Sequence, residues 1–114
     1  MAASQVLIDG RTLSIESLIL IRDGLATATI SNEAISRMQT SRKAVEDILD
    51  SDKIVYGINT GFGAMSSVQI DSENLAKLQL NLIRSHACGV GELMSPEHVL
   101  MMMVIRANSL AVGN

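Results

Sequence analysis

The segment from Val99 to Ile105 is apolar on every side, and it constrains the fold more than any other stretch of the chain. It belongs to a predicted helix that starts at Ser95-Pro96-Glu97, where a capping serine, a proline at the first helical position and an acid in the first turn occur in sequence. A helix that is apolar all round is stable in water only when other helices enclose it. We therefore expect this helix to be covered by further parts of a larger protein, or to bury its surface by oligomerisation.

The composition excludes several classes of function. Aromatic residues make up only 2% of the chain, so its core must be built from aliphatic side chains and methionines. The net charge of −3 provides no basic face for nucleic acid. A single cysteine, Cys88, excludes an internal disulfide and fits a reducing compartment. The start of the chain lacks the features of a signal peptide, so we expect a cytoplasmic protein. No apolar run approaches the roughly 18 residues that suggest a membrane span, so no membrane-spanning helix is expected.

Hydrophobic periodicity predicts a mainly α fold with a small β-hairpin, in one segment covering residues 1–114. The hairpin is expected within residues 1–14, because Asp9-Gly10 lies between two short apolar runs. Residues 15–52 are predicted to be helical, although the stretch 25–30 could form a strand. A loop region is expected at 53–70 and two further helices at 71–113. Helix starts are predicted at Ser14, Ser31, Asp71 or Ser72, and Ser95.

The loop Tyr56–Gly63 contains three glycines, together with the only tyrosine and the only phenylalanine of the chain. Glycine reaches backbone angles closed to other residues and lets the main chain approach a ligand. The Asn59-Thr60 pair can hydrogen-bond to nearby backbone and hold such a loop in one shape. Tyr56 is then a candidate general acid or base, although its phenol, with an ordinary pKa of about 10, needs oriented donors, a cation or a helix N-terminus to ionise near neutral pH. The alternative is a tyrosine packed at the rim of a helical core with its hydroxyl hydrogen-bonded.

The remaining polar candidates are few. His86 lies near the end of a predicted helix, where it is either a capping or surface residue or a functional one. His98 lies on the first turn of the next helix and is expected to be solvated. No acid-histidine cluster has ligand spacing, so no metal site is predicted. Arg106 and Asn108 either make buried hydrogen bonds to another segment or mark the wet side of their helix.

Three motifs follow one another in the chain: YGINTGFG at residues 56–63, LQLNLIRSHACGVG at 78–91 and RANSLAVG at 106–113. Together they closely resemble the N-terminal region of the aromatic amino acid ammonia-lyases, most of all the histidine ammonia-lyases. The resemblance implies that the chain is an incomplete part of a larger helical lyase fold, a cytoplasmic homotetramer that removes ammonia from an amino acid.

The resemblance also implies a methylidene-imidazolone electrophile, formed from an Ala-Ser-Gly triplet in a downstream segment rather than from an added cofactor. Ala87-Cys88-Gly89 has a similar pattern, but it lies where the family has an ordinary helix end, so we reject it as a precursor. The 114-residue chain alone is accordingly expected to be inactive.

Carried over position by position, the resemblance assigns Tyr56 as the base that takes the β-proton of the substrate and places Gly63 in the substrate pocket. Ser85-His86 matches the dipeptide that faces the substrate side chain, which favours histidine as the substrate. A tyrosine or phenylalanine ammonia-lyase and an aminomutase remain open as alternatives. So does a helical oligomerisation module that has lost the chemistry.

Overall fold

The computed structural model describes residues 4–114, apart from the side chain of Ser72. The predicted mainly α fold is confirmed. The described chain divides into two compact units, a first unit of residues 4–42 with 93–114 and a second unit of residues 43–92. The elements, in chain order, are β1 (Ser4–Ile8), α1 (Ile15–Arg22), β2 (Ala26–Ile30), α2 (Asn32–Leu49), a single 3₁₀ turn (Gly63–Met65), α3 (Ser72–His86) and α4 (Pro96–Leu110).

The predicted hairpin within residues 1–14 is wrong, and its residues 1–3 lie outside the described part of the chain. β1 pairs with β2 in parallel, with Ile8 opposite Ile30. The Asp9 carboxylate closes the turn after β1, because its Oδ1 accepts hydrogen bonds of 2.8 Å from the N–H groups two and three residues later. The chain therefore enters α1 instead of turning back, and the strand that pairs with β1 follows that helix, as a parallel pair requires.

Both ends of α1 are capped, and its start follows the predicted signal at Ser14. Ser14 Oγ accepts a hydrogen bond from a first-turn N–H at 3.1 Å. At the other end Gly24 adopts φ +71°, and the N–H of Leu25 reaches back to the carbonyl of Leu20 at 2.9 Å. This is the Schellman arrangement, in which a left-handed glycine satisfies the last carbonyls of a helix. The same turn delivers the chain directly into β2.

The core of the first unit is small. Its buried apolar residues are Ile8, Ile21, Ala26, Ala34, Val104 and Ala111. Among residues 99–105 of α4 only Val104 is buried, whereas Met102 is 57% exposed and Met103 65% exposed. One face of α4 thus packs on the core and the rest of its apolar surface is open in this chain.

The last residues of the first unit are held by Arg37 of α2. Its guanidinium donates to the carbonyls of Asp9 at 2.6 Å, Val112 at 3.0 Å and Ala111 at 3.0 Å. Gly113 packs against this side chain with φ +75°, and a Cβ at Gly113 would lie 2.6 Å from that of Arg37. One side chain therefore joins the end of α4, α2 and the turn after β1.

Arg106 and Asn108, both on α4, behave differently. Asn108 Oδ1 accepts a hydrogen bond of 2.9 Å from the N–H of Gly10. Asn108 therefore bonds to another segment, as one of the two alternatives expects, although this bond is half-buried. Arg106 is exposed and lies beside an apolar groove of about 670 Å³. The groove is lined by Met94, Val99, Met102, Met103, Arg106, Ala107 and Leu110.

The second unit carries the glycine-rich loop and α3. An antiparallel bridge joins Thr60, in the loop, to Gln69, which follows it. Asp71 caps α3, because its Oδ1 accepts the N–H of Asn74 at 3.0 Å. Across residues 4–114, no helix has both the length and the apolar character needed to cross a membrane.

Candidate active site

The loop Tyr56–Gly63 needs its glycines for two different reasons. Gly57 and Gly63 adopt φ +78° and +58°, backbone angles that favour glycine. Gly61 is required by close packing instead, because a Cβ at this position would lie 2.7 Å from the Cβ of Met65. The loop therefore needs residues that tolerate positive φ at 57 and 63, and a residue without a Cβ at 61.

Two buried polar side chains hold the loop in shape by hydrogen bonds to its backbone. Asn59 is 3% exposed, and its amide accepts from the N–H of Val55 at 2.8 Å and donates to the carbonyl of Lys53 at 2.7 Å. Thr60 is 1% exposed, and its hydroxyl accepts from the N–H of Gly57 at 3.3 Å. The prediction that this pair bonds to nearby backbone is confirmed.

Tyr56 is presented outward by this loop, with 62% of its surface exposed. Its ring meets that of Phe62 edge to face, with centroids 6.2 Å apart and an interplanar angle of 75°. Among the described residues, nothing hydrogen-bonds to its hydroxyl. Tyr56 is therefore not a packed residue of the core in this chain, and its phenol is free to meet a ligand.

Ser85 and His86 end α3 as a hydrogen-bonded pair. Ser85 Oγ donates to the carbonyl of Leu82 at 2.8 Å, and His86 Nδ1 lies 2.8 Å from the same oxygen and 3.0 Å from Ser85 Oγ. Because a carbonyl oxygen only accepts, the contact assigns the proton to Nδ1. In the neutral form of the ring, Nε2 then carries the lone pair and can accept from an outside hydrogen-bond donor.

The four site residues assigned from the sequence all lie in the second unit. Tyr56 and Gly63 share the loop, whereas Ser85 and His86 share the end of α3. Within the described residues, no hydrogen bond joins one pair to the other. The ring contact of Phe62 with Tyr56 was missed from the sequence, although the occurrence of both aromatic residues in one loop was a usable signal.

The other polar candidates have local roles. His98 Nδ1 lies 3.0 Å from Ser95 Oγ at the start of α4, as part of a helix cap. Ala87 donates its N–H to the carbonyl of Ile83 at 3.0 Å, and Cys88 is exposed. Ala87-Cys88-Gly89 is thus an ordinary helix end, as expected. Across the described residues, no cluster of histidine, cysteine and acidic side chains could hold a metal ion.

Comparison with known proteins gives a consistent result. The family model described as aromatic amino acid lyase matches residues 13–114. A histidine ammonia-lyase of Macrococcus caseolyticus is 44% identical over 109 residues, which is 96% of this chain and 22% of that protein. The chain therefore spans about a fifth of the length of such relatives.

Solved structures agree with this similarity. The crystal structure of histidine ammonia-lyase from Trypanosoma cruzi matches with a TM-score of 0.88 and 41% identity, covering 96% of this chain and 21% of that one. A tyrosine aminomutase from Streptomyces globisporus matches with a TM-score of 0.86 and 36% identity, with the same coverage of 96% and 21%. The fold described above is thus the corresponding part of a larger helical lyase fold.

Proposed function

The chain belongs to the aromatic amino acid lyase family, and from this premise we propose that it is part of a histidine ammonia-lyase, which converts histidine to urocanate and ammonia. The observation that carries the proposal is the loop Tyr56–Gly63. It exposes the phenol of Tyr56, while buried side chains of Asn59 and Thr60 hydrogen-bond to the backbone beside it. The 44% identity with a histidine ammonia-lyase supports the choice of substrate.

Tyr56 is proposed as the base of this reaction. Elimination of ammonia breaks the bond between the α-carbon and nitrogen and removes a proton from the β-carbon, which leaves an unsaturated acid. The phenolate oxygen of Tyr56 takes that proton. With an ordinary pKa of about 10, the phenol needs cationic or donor groups nearby to ionise near neutral pH, and we propose that they come from segments of the enzyme outside this chain. Gly63 has no side chain, so it leaves room for the substrate beside the loop.

The electrophile that assists loss of the amino group is proposed to come from outside these residues as well. An Ala-Ser-Gly triplet does not occur among the 114 residues, and Ala87-Cys88-Gly89 is engaged as a helix end. Methylidene-imidazolone would supply an electron-poor centre for the amino group, and this chain would supply the base and part of the pocket. On this proposal the isolated chain is inactive.

Ser85 and His86 are proposed to recognise the substrate side chain. With Nδ1 bound to the carbonyl of Leu82, His86 offers Nε2 as an acceptor for the N–H of an imidazole. A phenol could use the same acceptor, and the likeness to a tyrosine aminomutase at 36% identity makes that enzyme class the second candidate. The two classes differ in product, an unsaturated acid against a β-amino acid.

We further propose that the full-length enzyme is a homo-oligomer, and specifically a tetramer, by analogy with the ammonia-lyases that the sequence resembles. The apolar surface that α4 leaves open beside Met102 and Met103 supports burial against other parts of such an assembly.

The test uses a full-length protein that carries residues 1–114. It is incubated with histidine, tyrosine or phenylalanine, while ammonia, the unsaturated acid and any β-amino acid are quantified by chromatography. We expect urocanate and ammonia in equal amounts from histidine, and none from the 114-residue chain alone. A β-amino acid from tyrosine would establish the aminomutase, and no product from any of the three would leave only the non-catalytic module. Ammonia released by the isolated chain would disprove the proposal that the electrophile comes from outside these 114 residues.

A further inference from the structure

We infer that Asn59 and Thr60 are positioning residues that set the direction of Tyr56, an inference that rests on the proposed function. The N–H groups on either side of Tyr56 are both donated to side chains of the same loop. The N–H of Val55 goes to Asn59 Oδ1 at 2.8 Å, and that of Gly57 goes to Thr60 Oγ1 at 3.3 Å. The second of these bonds holds the peptide that follows Tyr56. The peptide that precedes it is held through the carbonyl of Val55, which accepts the N–H groups of Ile58 at 3.1 Å and Asn59 at 3.3 Å.

Each of these side chains is fixed at a second point. Asn59 Nδ2 donates to the carbonyl of Lys53 at 2.7 Å, and the Thr60 hydroxyl donates to the carbonyl of Gly61 at 2.9 Å. Both residues are buried, at 3% and 1% exposure, so water does not compete for these bonds. Asn59 in particular uses its acceptor and its donor, which neither a carboxylate nor an apolar residue could do.

The main chain extends this support to the segment after the loop. The carbonyl of Asn59 accepts the N–H of Ile70 at 2.9 Å, and the N–H of Gly61 donates to the carbonyl of Val68 at 3.0 Å. Apart from the edge contact with the Phe62 ring, the direction of Tyr56 is thus set by hydrogen bonds within residues 53–70, because its side chain is mostly exposed. Such preorganisation matters for catalysis, since a misplacement of about 1 Å can cost about 10²-fold in rate.

The first experiment uses the optical signal of Tyr56, which is the only tyrosine in a chain without tryptophan. Near-ultraviolet circular dichroism and fluorescence anisotropy of the purified 114-residue chain therefore report on this one side chain. Asn59→Asp keeps the size and the acceptor but loses the donor to Lys53. Asn81→Asp, on the exposed surface of α3, makes the same chemical change elsewhere. We expect Asn59→Asp to lose the tyrosine band and lower the anisotropy while helical dichroism persists, and Asn81→Asp to keep all three signals.

A second pair of variants, at Thr60, separates the loss of a hydrogen bond from unfolding of the chain. Thr60→Val removes the hydroxyl at nearly constant volume, and Thr60→Ser retains it. We expect the valine variant to behave like Asn59→Asp and the serine variant to recover the tyrosine band. If Asn59→Asp and Thr60→Val both keep the tyrosine band, the two residues do not position Tyr56, and the inference is overturned. It is also overturned if both variants lose the helical signal together with that band, because the two residues then stabilise the whole fold.

Kinetics of the full-length enzyme complete the test. A positioning role predicts that Asn59→Asp lowers kcat by about 10²-fold with KM nearly unchanged. A loss confined to KM, or wild-type kcat in Asn59→Asp, would overturn the inference. A wild-type enzyme that deaminates none of the substrates would refute the proposed function alone, since the dichroism of Tyr56 still decides whether Asn59 and Thr60 position the ring.

Discussion

At the scale of single residues, the role of Tyr56 depends on one oxygen atom. Tyr56→Phe deletes the titratable hydroxyl and keeps the ring that meets Phe62. In a full-length protein we expect turnover to fall by about 10²-fold or more, the effect of losing one positioned acid-base group, with substrate affinity changed much less. Steady-state kinetics with histidine would measure both quantities. Wild-type turnover together with a lower melting temperature would instead make the hydroxyl a structural group.

His86 allows a separate prediction about specificity. His86→Leu removes Nε2, the acceptor proposed for an imidazole N–H or a phenol, and replaces it with apolar surface. The ratio of kcat/KM for phenylalanine to that for histidine should therefore rise, because an unpaired polar group of the substrate is then buried. His98→Leu is the matched control, since His98 belongs to the cap of α4. An unchanged ratio in His86→Leu would remove this residue from the pocket.

The sequence alone predicts much of the candidate site at this scale. Positive φ at Gly57 and Gly63, and backbone bonding by Asn59 and Thr60, follow from residue types with few other uses in a loop. The reason for Gly61 could not be predicted, because it depends on the packing of Met65 against it. The tautomer of His86 was likewise inaccessible, since it depends on the 2.8 Å contact with a carbonyl.

At the scale of elements, local signals predict the helices well and the sheet poorly. The caps at Ser14, Asp71 and Ser95 act within one helical turn, so residue type and position suffice to identify them. The pairing of β1 with β2 joins residues 22 positions apart in the chain, as in Ile8 with Ile30. Asp9-Gly10 predicts a hairpin only if the next residues are free to form a strand. Here the residues after Gly10 form a turn whose N–H groups bond to the Asp9 carboxylate, and Ser14 then caps α1. The Asp-Gly motif alone does not reveal this.

That turn makes a prediction about acid stability. Hydrogen bonds from the backbone of Thr12 and Arg11 and from the Thr12 hydroxyl lower the pKa of Asp9 from 3.8 to about 2. A carboxyl with a lowered pKa in the folded state adds stability that is present above its unfolded pKa and is lost as the pH falls toward its folded pKa. Its contribution should therefore disappear between about pH 4 and pH 2.

Asp9→Asn tests this directly. The variant retains an oxygen for the backbone N–H groups but has no charge to titrate, so its melting temperature should fall less than that of the wild-type chain between those pH values. Asp52→Asn removes an exposed carboxylate from another part of the chain and serves as the control. Equal acid sensitivity of Asp9→Asn and the wild-type chain would show that the turn does not depend on the ionised carboxylate.

At the scale of the whole molecule, the apolar surface of α4 predicts self-association of the isolated chain. Val99, Met102, Met103 and Leu110 are 41%, 57%, 65% and 57% exposed, and they line one groove of about 670 Å³. A continuous apolar surface of this kind is stabilised by burial, so the purified chain should form oligomers or bind a hydrophobic dye. Sedimentation velocity and dye fluorescence over a concentration series would measure the two effects.

Met103→Glu should weaken this association, because a carboxylate in the groove would have to lose water when the surface is buried. Met65→Glu changes a methionine of similar exposure, 59%, in the second unit and leaves the groove intact. Association should therefore persist in Met65→Glu and decrease in Met103→Glu, with helical dichroism retained in both. A wild-type chain that stays monomeric and binds no dye would show that the open face of α4 is stable in water. Equal association of the two variants would place the contact elsewhere on the surface.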